Sequence, residues 1–137
     1  MAILSAAELN EQADLAYVRG TYYVALLNSS TDFGSSIDYA TVLANEVTSG
    51  LGGYSRVSFS YVSGDLLAYS DGQPLSQKTA NFIHDGSSSD IVFTHVVLLR
   101  EYLSVYTVVA VQSVGDVAIL NNGNTAKIKI DVLHGKI

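Results

Sequence analysis

The hydrophobic pattern of this chain is mainly that of β-strands. Residues 21–27 (TYYVALL) form an unbroken run of β-branched, aromatic and aliphatic side chains, which is typical of a strand buried on both faces. Residues 54–62 alternate between apolar and polar positions, which indicates a half-buried strand. Shorter apolar runs predict two further strands, at 66–69 and 78–84.

The last third of the chain contains the two longest apolar runs. Residues 91–99 and 103–112 are rich in Val, Leu and Tyr, so each run predicts a long strand. A brief charged break at Arg100 and Glu101 separates the two runs. We expect this break to lie between the two strands.

The end of the chain carries a hairpin signal. Residues 117–120 are apolar, and the turn at 121–124 contains an Asn-Gly pair, the strongest short-range signal for a β-hairpin. Residues 125–132 then alternate between apolar and polar positions. We therefore predict a C-terminal hairpin over Val117 to Val132, with one face in the core and one in solvent.

The clearest helix is predicted at the start of the chain. Ser5 can cap its first turn, and Glu8 follows at the spacing of a capping box. Its apolar face is narrow and consists of Ala6, Leu9, Ala13 and Ala16. Residues 39–47 are compatible with a second short helix. Composition predicts loops at Asn28–Asp38, Ser49–Gly53, Asp71–Pro74 and Asp85–Asp90.

Seven to eight short strands with closely spaced turns predict a mainly β fold. The expected architecture is an antiparallel β-sandwich or barrel-like domain with one short N-terminal helix. Residues 1–20 would form the N-terminal helix or arm, and residues 21–137 would form the β-sandwich domain. A length of 137 residues suits one such domain.

The composition narrows the range of partners. Charged residues make up only 15% of the chain, against about 25% in average proteins, and apolar residues make up 48%. Such low charge predicts that part of the surface is covered in the working state. The net charge of −6 makes nucleic acid a poor partner. A membrane is not expected as a partner either, because no apolar run approaches the about 18–20 residues of a spanning helix.

The sequence offers few candidates for chemistry. Because there are no cysteines, disulfides and thiolate chemistry are excluded. Of the three histidines, His95 lies inside an apolar strand and is expected to be a hydrogen-bonded residue of a core or interface. His84 ends a predicted strand and is expected at the surface, and His134 lies near the end of the chain. Neither a nucleophile elbow nor a nucleotide-binding or zinc motif occurs.

Acidic loop residues could in principle bind calcium. The loop Asp85–Asp90, with Asp71 and Asp65 elsewhere, offers oxygen ligands, but it departs from the EF-hand pattern. Asp, Ser and Gly are also ordinary turn formers. We therefore predict no catalytic residues, no cofactor and no metal, and expect that the protein is not an enzyme.

The order of motifs along the chain carries a family resemblance. The strand TYYVALLNSS precedes a Gly/Ser loop, and ANEVTSGLGGYSR follows at residues 44–56. Residues 115–130 then resemble the form GD-V-x-(I/L)-x-NG-(D/N)-T-x-x-I-x-I, with one additional residue before the Asn-Gly pair. Over about residues 21–137 the chain resembles a group of small structural proteins of tailed bacteriophages. It departs from the family's pattern at residues 49–54, where extra Gly and Leu residues lengthen the turn.

The resemblance implies a virion protein without enzymatic activity. A capsid decoration (cement) protein is favoured, which would bind the major capsid protein or other virion subunits and form a homo-oligomer. Its N-terminal arm would contact a neighbour. The alternatives are a tail, neck or fibre-adaptor component and a host-glycan-binding module that uses the loops Asn28–Asp38 and Asp85–Asp90. A small hydrolase is a further, less supported alternative.

Overall fold

The chain folds into two packed antiparallel β-sheets, as the sequence predicts. The structure is a computed structural model that describes residues 19–33, 37–61 and 76–132. Its elements are β1 (Thr21–Leu27), α1 (Tyr39–Asn45), a 3₁₀ turn (Leu51–Gly53), β2 (Val57–Phe59), β3 (Ser76–Ile83), β4 (Ile91–Tyr102), β5 (Val105–Leu120) and β6 (Thr125–Val132).

Several predictions fall outside these residues. They are the helix of the N-terminal arm up to residue 18, the strand at 66–69, the turn at 71–74 and the placement of His134. Within the part that is described, no helix is long and apolar enough to cross a membrane.

The four-stranded sheet has the order β2-β1-β4-β5, and the two-stranded sheet consists of β3 and β6. All neighbouring strands are antiparallel. Val24 and Phe93 of the larger sheet share one buried cluster with Ala80 and Phe82 of the smaller sheet. This shared core between the two sheets confirms the predicted sandwich.

The central strand β1 is buried on both faces, which explains its unbroken apolar sequence. Val24 and Leu26 face the two-stranded sheet. Ala25 and Leu27 point to the other side and pack in a second cluster with Val42 of α1. The helix therefore forms a third layer, and the prediction of a doubly buried strand is confirmed.

The predicted break at Arg100 and Glu101 is wrong. Both residues belong to β4, and Glu101 pairs with Thr21 on one side and Tyr106 on the other. The reversal occurs at Leu103 and Ser104, which both have positive φ, at 51° and 65°. Two left-handed residues match the twist of a tight hairpin, so the backbone turns there although the charged pair comes earlier.

The predicted C-terminal hairpin is also wrong. β5 pairs with β4, and β6 pairs with β3, so the two strands lie in different sheets. The Asn121–Asn124 turn does form, with a 3.0 Å hydrogen bond from Asn124 N–H to the Asn121 carbonyl. However, Gly123 and Asn124 exchange backbone hydrogen bonds with His84 at the end of β3. The turn therefore carries the chain across to the facing sheet, where the apolar side chains of β6 reach the core.

Two predicted strands have different bounds in the structure. Residues 117–120 are not a separate strand but the end of β5, which is a single strand of 16 residues. The strand expected at 54–62 is reduced to Val57–Phe59. Tyr54 is not part of this strand, and its hydroxyl accepts a hydrogen bond from Leu26 N–H of β1 at 3.0 Å.

Candidate assembly surface

His84 is a buried structural residue, so the prediction of a surface position is wrong. It is 1% exposed. Its Nδ1 accepts from Gly86 N–H at 3.0 Å, and Nε2 lies 2.9 Å from the Ser89 carbonyl oxygen. Because a carbonyl can only accept, the ring carries its proton on Nε2. Both nitrogens thus hold the loop after β3, and neither is available for catalysis.

His95 is a buried, hydrogen-bonded histidine, as predicted. Its Nδ1 lies 2.8 Å from the Thr94 hydroxyl oxygen, and its Nε2 lies 3.5 Å from a carboxylate oxygen of exposed Asp32. The order hydroxyl, imidazole, carboxylate is that of a hydrolase triad. The Thr94 hydroxyl, however, donates to the Leu27 carbonyl and also accepts from Ser29 N–H. These bonds tie the Thr94 hydroxyl to the backbone of the loop after β1.

The two loops suggested for glycan binding approach each other. Asn28 of the first loop and Asp90 of the second line the same cleft of about 370 Å³, together with Glu46 and Thr48. In the second loop, hydrogen bonds from the Ser87 side chain and from Ser87 N–H, the latter 2.8 Å long, hold the pKa of the exposed Asp85 carboxyl below its usual range. Across the described residues, no group of three or more His, Asp or Glu side chains could hold a metal ion.

The segment 44–56 contains a polar network that sequence reasoning missed. Arg56 makes two parallel hydrogen bonds to Glu46, at 2.9 Å through Nε and 2.7 Å through Nη2. The Tyr54 hydroxyl donates to Glu46 Oε2 at 2.8 Å and accepts from Leu26 N–H. Burial raises the pKa of Tyr54, and the Glu46 carboxylate raises the pKa of Arg56. One of the motifs that carries the family resemblance is therefore a structural clamp on β1.

We expect Tyr54→Phe to destabilise the fold by about 1–3 kcal/mol, because it leaves the buried Leu26 N–H without its partner. Urea unfolding would measure the loss. Tyr39→Phe is the matched control. The Tyr39 hydroxyl accepts a 3.0 Å hydrogen bond from Arg56, and Arg56 would still have its two hydrogen bonds to Glu46 after this substitution. If both variants lost the same free energy of unfolding, the hydrogen bond from Leu26 to Tyr54 would make no stabilising contribution of its own.

The outer edge of β5 exposes a row of aliphatic side chains, which we call the β5 strip. No strand among the described residues pairs with this edge. The strip consists of Val105, Val109, Val114, Val117 and Ile119.

Two irregularities of β5 supply most of the strip. Leu98 pairs with Ala110 and Leu99 with Val108, so Val109 is an extra, bulged residue. A larger shift, between the pairs Phe93–Ala118 and His95–Ser113, leaves residues 114–117 without partners in β4. Bulges re-aim side chains, and Val109, Val114 and Val117 in these two irregularities are exposed.

The other open edges among the described strands are shorter and most carry lysines, whereas β5 is long, carries no lysine and is interrupted by two bulges. Natural proteins protect edges with short strands and with lysines. β2 is three residues long, β3 carries Lys78, and β6 carries Lys127 and Lys129. From Val105 to Gly115, β5 has neither a charged residue nor a proline. The β5 strip therefore has the character of a surface that is covered in an assembly.

A groove opens beside β5, where the smaller sheet covers only part of the larger one. Its volume is about 490 Å³. The floor includes Val96 and Leu98 of β4, and the wall is β6, with Ile128 and Ile130 lining the groove and Lys127 and Lys129 beside them. No described strand pairs with this outer edge of β6. We call this feature the β5–β6 groove.

Comparisons of the chain with models of protein families, with curated proteins and with solved structures found no match.

Proposed function

We propose that the protein is a non-enzymatic structural component of a virion, and specifically a capsid decoration protein that binds and stabilises the assembled shell. The observation that carries this proposal is the β5 strip, a long strand edge that has no charged residue from Val105 to Gly115 and no partner among the described strands. Such an edge is a template for pairing with another chain. The family resemblance of the sequence adds the virion as the setting.

The residues that could have supported an enzyme support a scaffold instead. His84 and the Thr94–His95 pair hold loops through hydrogen bonds to the backbone. Glu46 and Arg56 hold each other and Tyr54. A scaffold in which these polar groups hydrogen-bond to one another and to the backbone is suited to permanent assembly, in which the exposed apolar strip supplies the contact energy.

Co-sedimentation with capsid shells tests the proposal. The purified chain would be mixed with shells assembled from the major capsid protein encoded in the same genome, and with that capsid protein unassembled as a control. We expect saturable binding to shells alone and a higher melting temperature of the decorated shells, because a ligand of the assembled state stabilises that state. Absence of binding at micromolar concentration would contradict a decoration role.

The same preparation separates the alternatives. A tail or neck component would form closed rings in electron micrographs and would not bind shells. A host-glycan-binding module would bind a glycan array through the cleft between Asn28 and Asp90. Substitution of Asn28 and Thr48, which line that cleft, would then abolish the signal.

A further inference from the structure

The His95 side chain lies between the two ends of the loop at residues 28–33, which follows β1. At the start of this loop, the Thr94 hydroxyl oxygen accepts a hydrogen bond from Ser29 N–H at 2.9 Å and lies 2.8 Å from His95 Nδ1. Near its other end, a carboxylate oxygen of Asp32 lies 3.5 Å from His95 Nε2. The two nitrogens of one imidazole ring therefore face the two ends of the loop.

His95 Nε2 is a buried polar atom whose hydrogen bonding is incomplete. The residue is 4% exposed, and Nε2 makes no hydrogen bond within the part of the chain that the structure describes. The distance to Asp32 is longer than the about 2.9–3.0 Å of an ordinary N–H···O bond. Buried polar groups in native proteins usually have a partner, and one that lacks it calls for an explanation. The Asp32 side chain is 94% exposed, so it is free to approach the ring.

Protonation of the ring changes how many ends of the loop it can hold. A neutral imidazole carries one N–H, so it can donate to Thr94 or towards Asp32, but not to both. An imidazolium carries an N–H on each nitrogen. Its Nδ1–H donates to the Thr94 oxygen, and its Nε2–H donates to the Asp32 carboxylate. This count holds whichever nitrogen carries the proton of the neutral ring.

The charge of Asp32 favours the doubly protonated ring. Burial opposes a charge on an imidazole, whereas an adjacent carboxylate favours it. Because Asp32 belongs to the loop and His95 to β4, their attraction also draws the loop towards the sheet. The Phe33 ring packs edge-on against His95, with the ring centroids 4.9 Å apart, and limits the access of water from that side.

Asp32 is the charged group that faces His95 among the described residues. The neighbouring strands present uncharged residues opposite His95, namely Leu27 of β1 and Ser113 of β5. Residues 34–36 (Gly-Ser-Ser) contain no titratable side chain. The titratable groups on the α1 side of the large sheet contact partners of their own: Asp38 contacts Thr41, Tyr39 contacts Arg56 and Tyr106, and Glu101 contacts Tyr23.

We propose that His95 is a pH-sensitive latch on the 28–33 loop. Protonation of its ring ties both ends of the loop to β4, and loss of the proton releases the Asp32 end. Histidine is the side chain whose charge ordinarily changes between about pH 5 and pH 8, so the loop is held more firmly at the acidic end of that range. Asn28 of the same loop lines the cleft that it shares with Asp90, so the latch acts on one wall of this cleft. The inference goes beyond shell decoration, because it concerns the isolated chain.

The measurement has to be local to the loop because of His84. Its Nδ1 accepts a hydrogen bond from Gly86 N–H. A second proton on that ring would break this bond, whereas a second proton on His95 adds one. The pH dependence of global stability would therefore combine two opposite effects.

Hydrogen exchange of the Ser29 amide provides a local measurement, because this N–H bonds to the Thr94 oxygen at the start of the loop. Its protection factor is corrected for the intrinsic pH dependence of amide exchange. In the full chain we expect protection about threefold to fivefold higher at pH 5 than at pH 8, the range expected for an ion pair with an exposed carboxylate. The nuclear magnetic resonance signals of the His95 ring should change with the same midpoint as the Ser29 protection.

Asp32→Asn removes the carboxylate that faces the ring, and the high exposure of Asp32 means that the fold should be retained. We expect most of the difference in Ser29 protection between the two pH values to disappear. Asp90→Asn is the matched control, because it makes the same change at an exposed carboxylate of the other loop, and it should keep the full difference.

Three results would overturn the latch. The first is equal protection of Ser29 at both pH values in the natural chain. The second is a full pH difference in Asp32→Asn, and the third is an equal loss of that difference in Asp32→Asn and Asp90→Asn. Because no shell is present in these experiments, the decoration role stands or falls by its own co-sedimentation test.

Discussion

The double substitution Val117→Lys and Ile119→Lys should abolish binding to shells while leaving the sandwich folded. Both side chains are exposed on β5, so neither contributes to the core. Lysines along an edge oppose pairing with another chain. A central interface residue contributes about 2 kcal/mol or more, and tenfold in affinity corresponds to about 1.4 kcal/mol. The two substitutions together should therefore weaken binding to shells about 1000-fold in the co-sedimentation assay.

The chain offers a matched control for that experiment. Ile83 of β3 is 62% exposed, close to the 59% of Ile119, but it lies on the other sheet. Ile83→Lys makes the same chemical change without touching the β5 strip, and we expect shell binding to be unchanged. Equal loss of binding in both variants would mean that a general change of charge, and not the strip, determines binding.

The sequence was sufficient to predict which face of a single strand is buried. The unbroken run in β1 corresponds to a strand covered on both faces. The alternation in β6 places Ile128 and Ile130 towards the core and leaves Lys127 and Lys129 exposed. In each case the side chain's own chemistry determines which face is buried.

Strand pairing could not be predicted in the same way. The Asn-Gly turn at Asn122 and Gly123 specifies a reversal of the chain, and that reversal is present. It does not specify whether the next strand returns beside β5 or in the facing sheet. That choice depends on β3, whose edge takes β6 as its partner from a distant part of the sequence.

The β5 strip could not be located from the sequence for a related reason. An aliphatic residue such as Val109 or Val117 is normally assigned to a core, but both are exposed and lie in irregular parts of β5. The low overall charge did indicate a covered surface, but it could not locate one. His84 was misplaced because its burial depends on Gly52, which leaves room for the ring.

Gly52→Ala should be one of the most destabilising small substitutions in the chain. Gly52 has a φ of 57°, a left-handed conformation that costs a residue with a side chain about 1–2 kcal/mol. An added Cβ would also lie only 2.7 Å from Nε2 of the His84 ring. The ring cannot move away without breaking its hydrogen bonds to Gly86 and Ser89, and such overpacking costs about 1–3 kcal/mol more. Urea unfolding at neutral pH would measure the combined loss.

Gly50→Ala separates the two contributions to that loss. Gly50 also has a positive φ, of 88°, but an added Cβ there meets no atom within 4 Å. It should therefore lose only the conformational part, about 1–2 kcal/mol. Combining Gly52→Ala with His84→Ala should restore part of the stability, because residues in contact do not contribute additively. Equal losses at positions 50 and 52, or additive losses in the double variant, would show that the loop after β3 does not depend on the packing of His84 against Gly52.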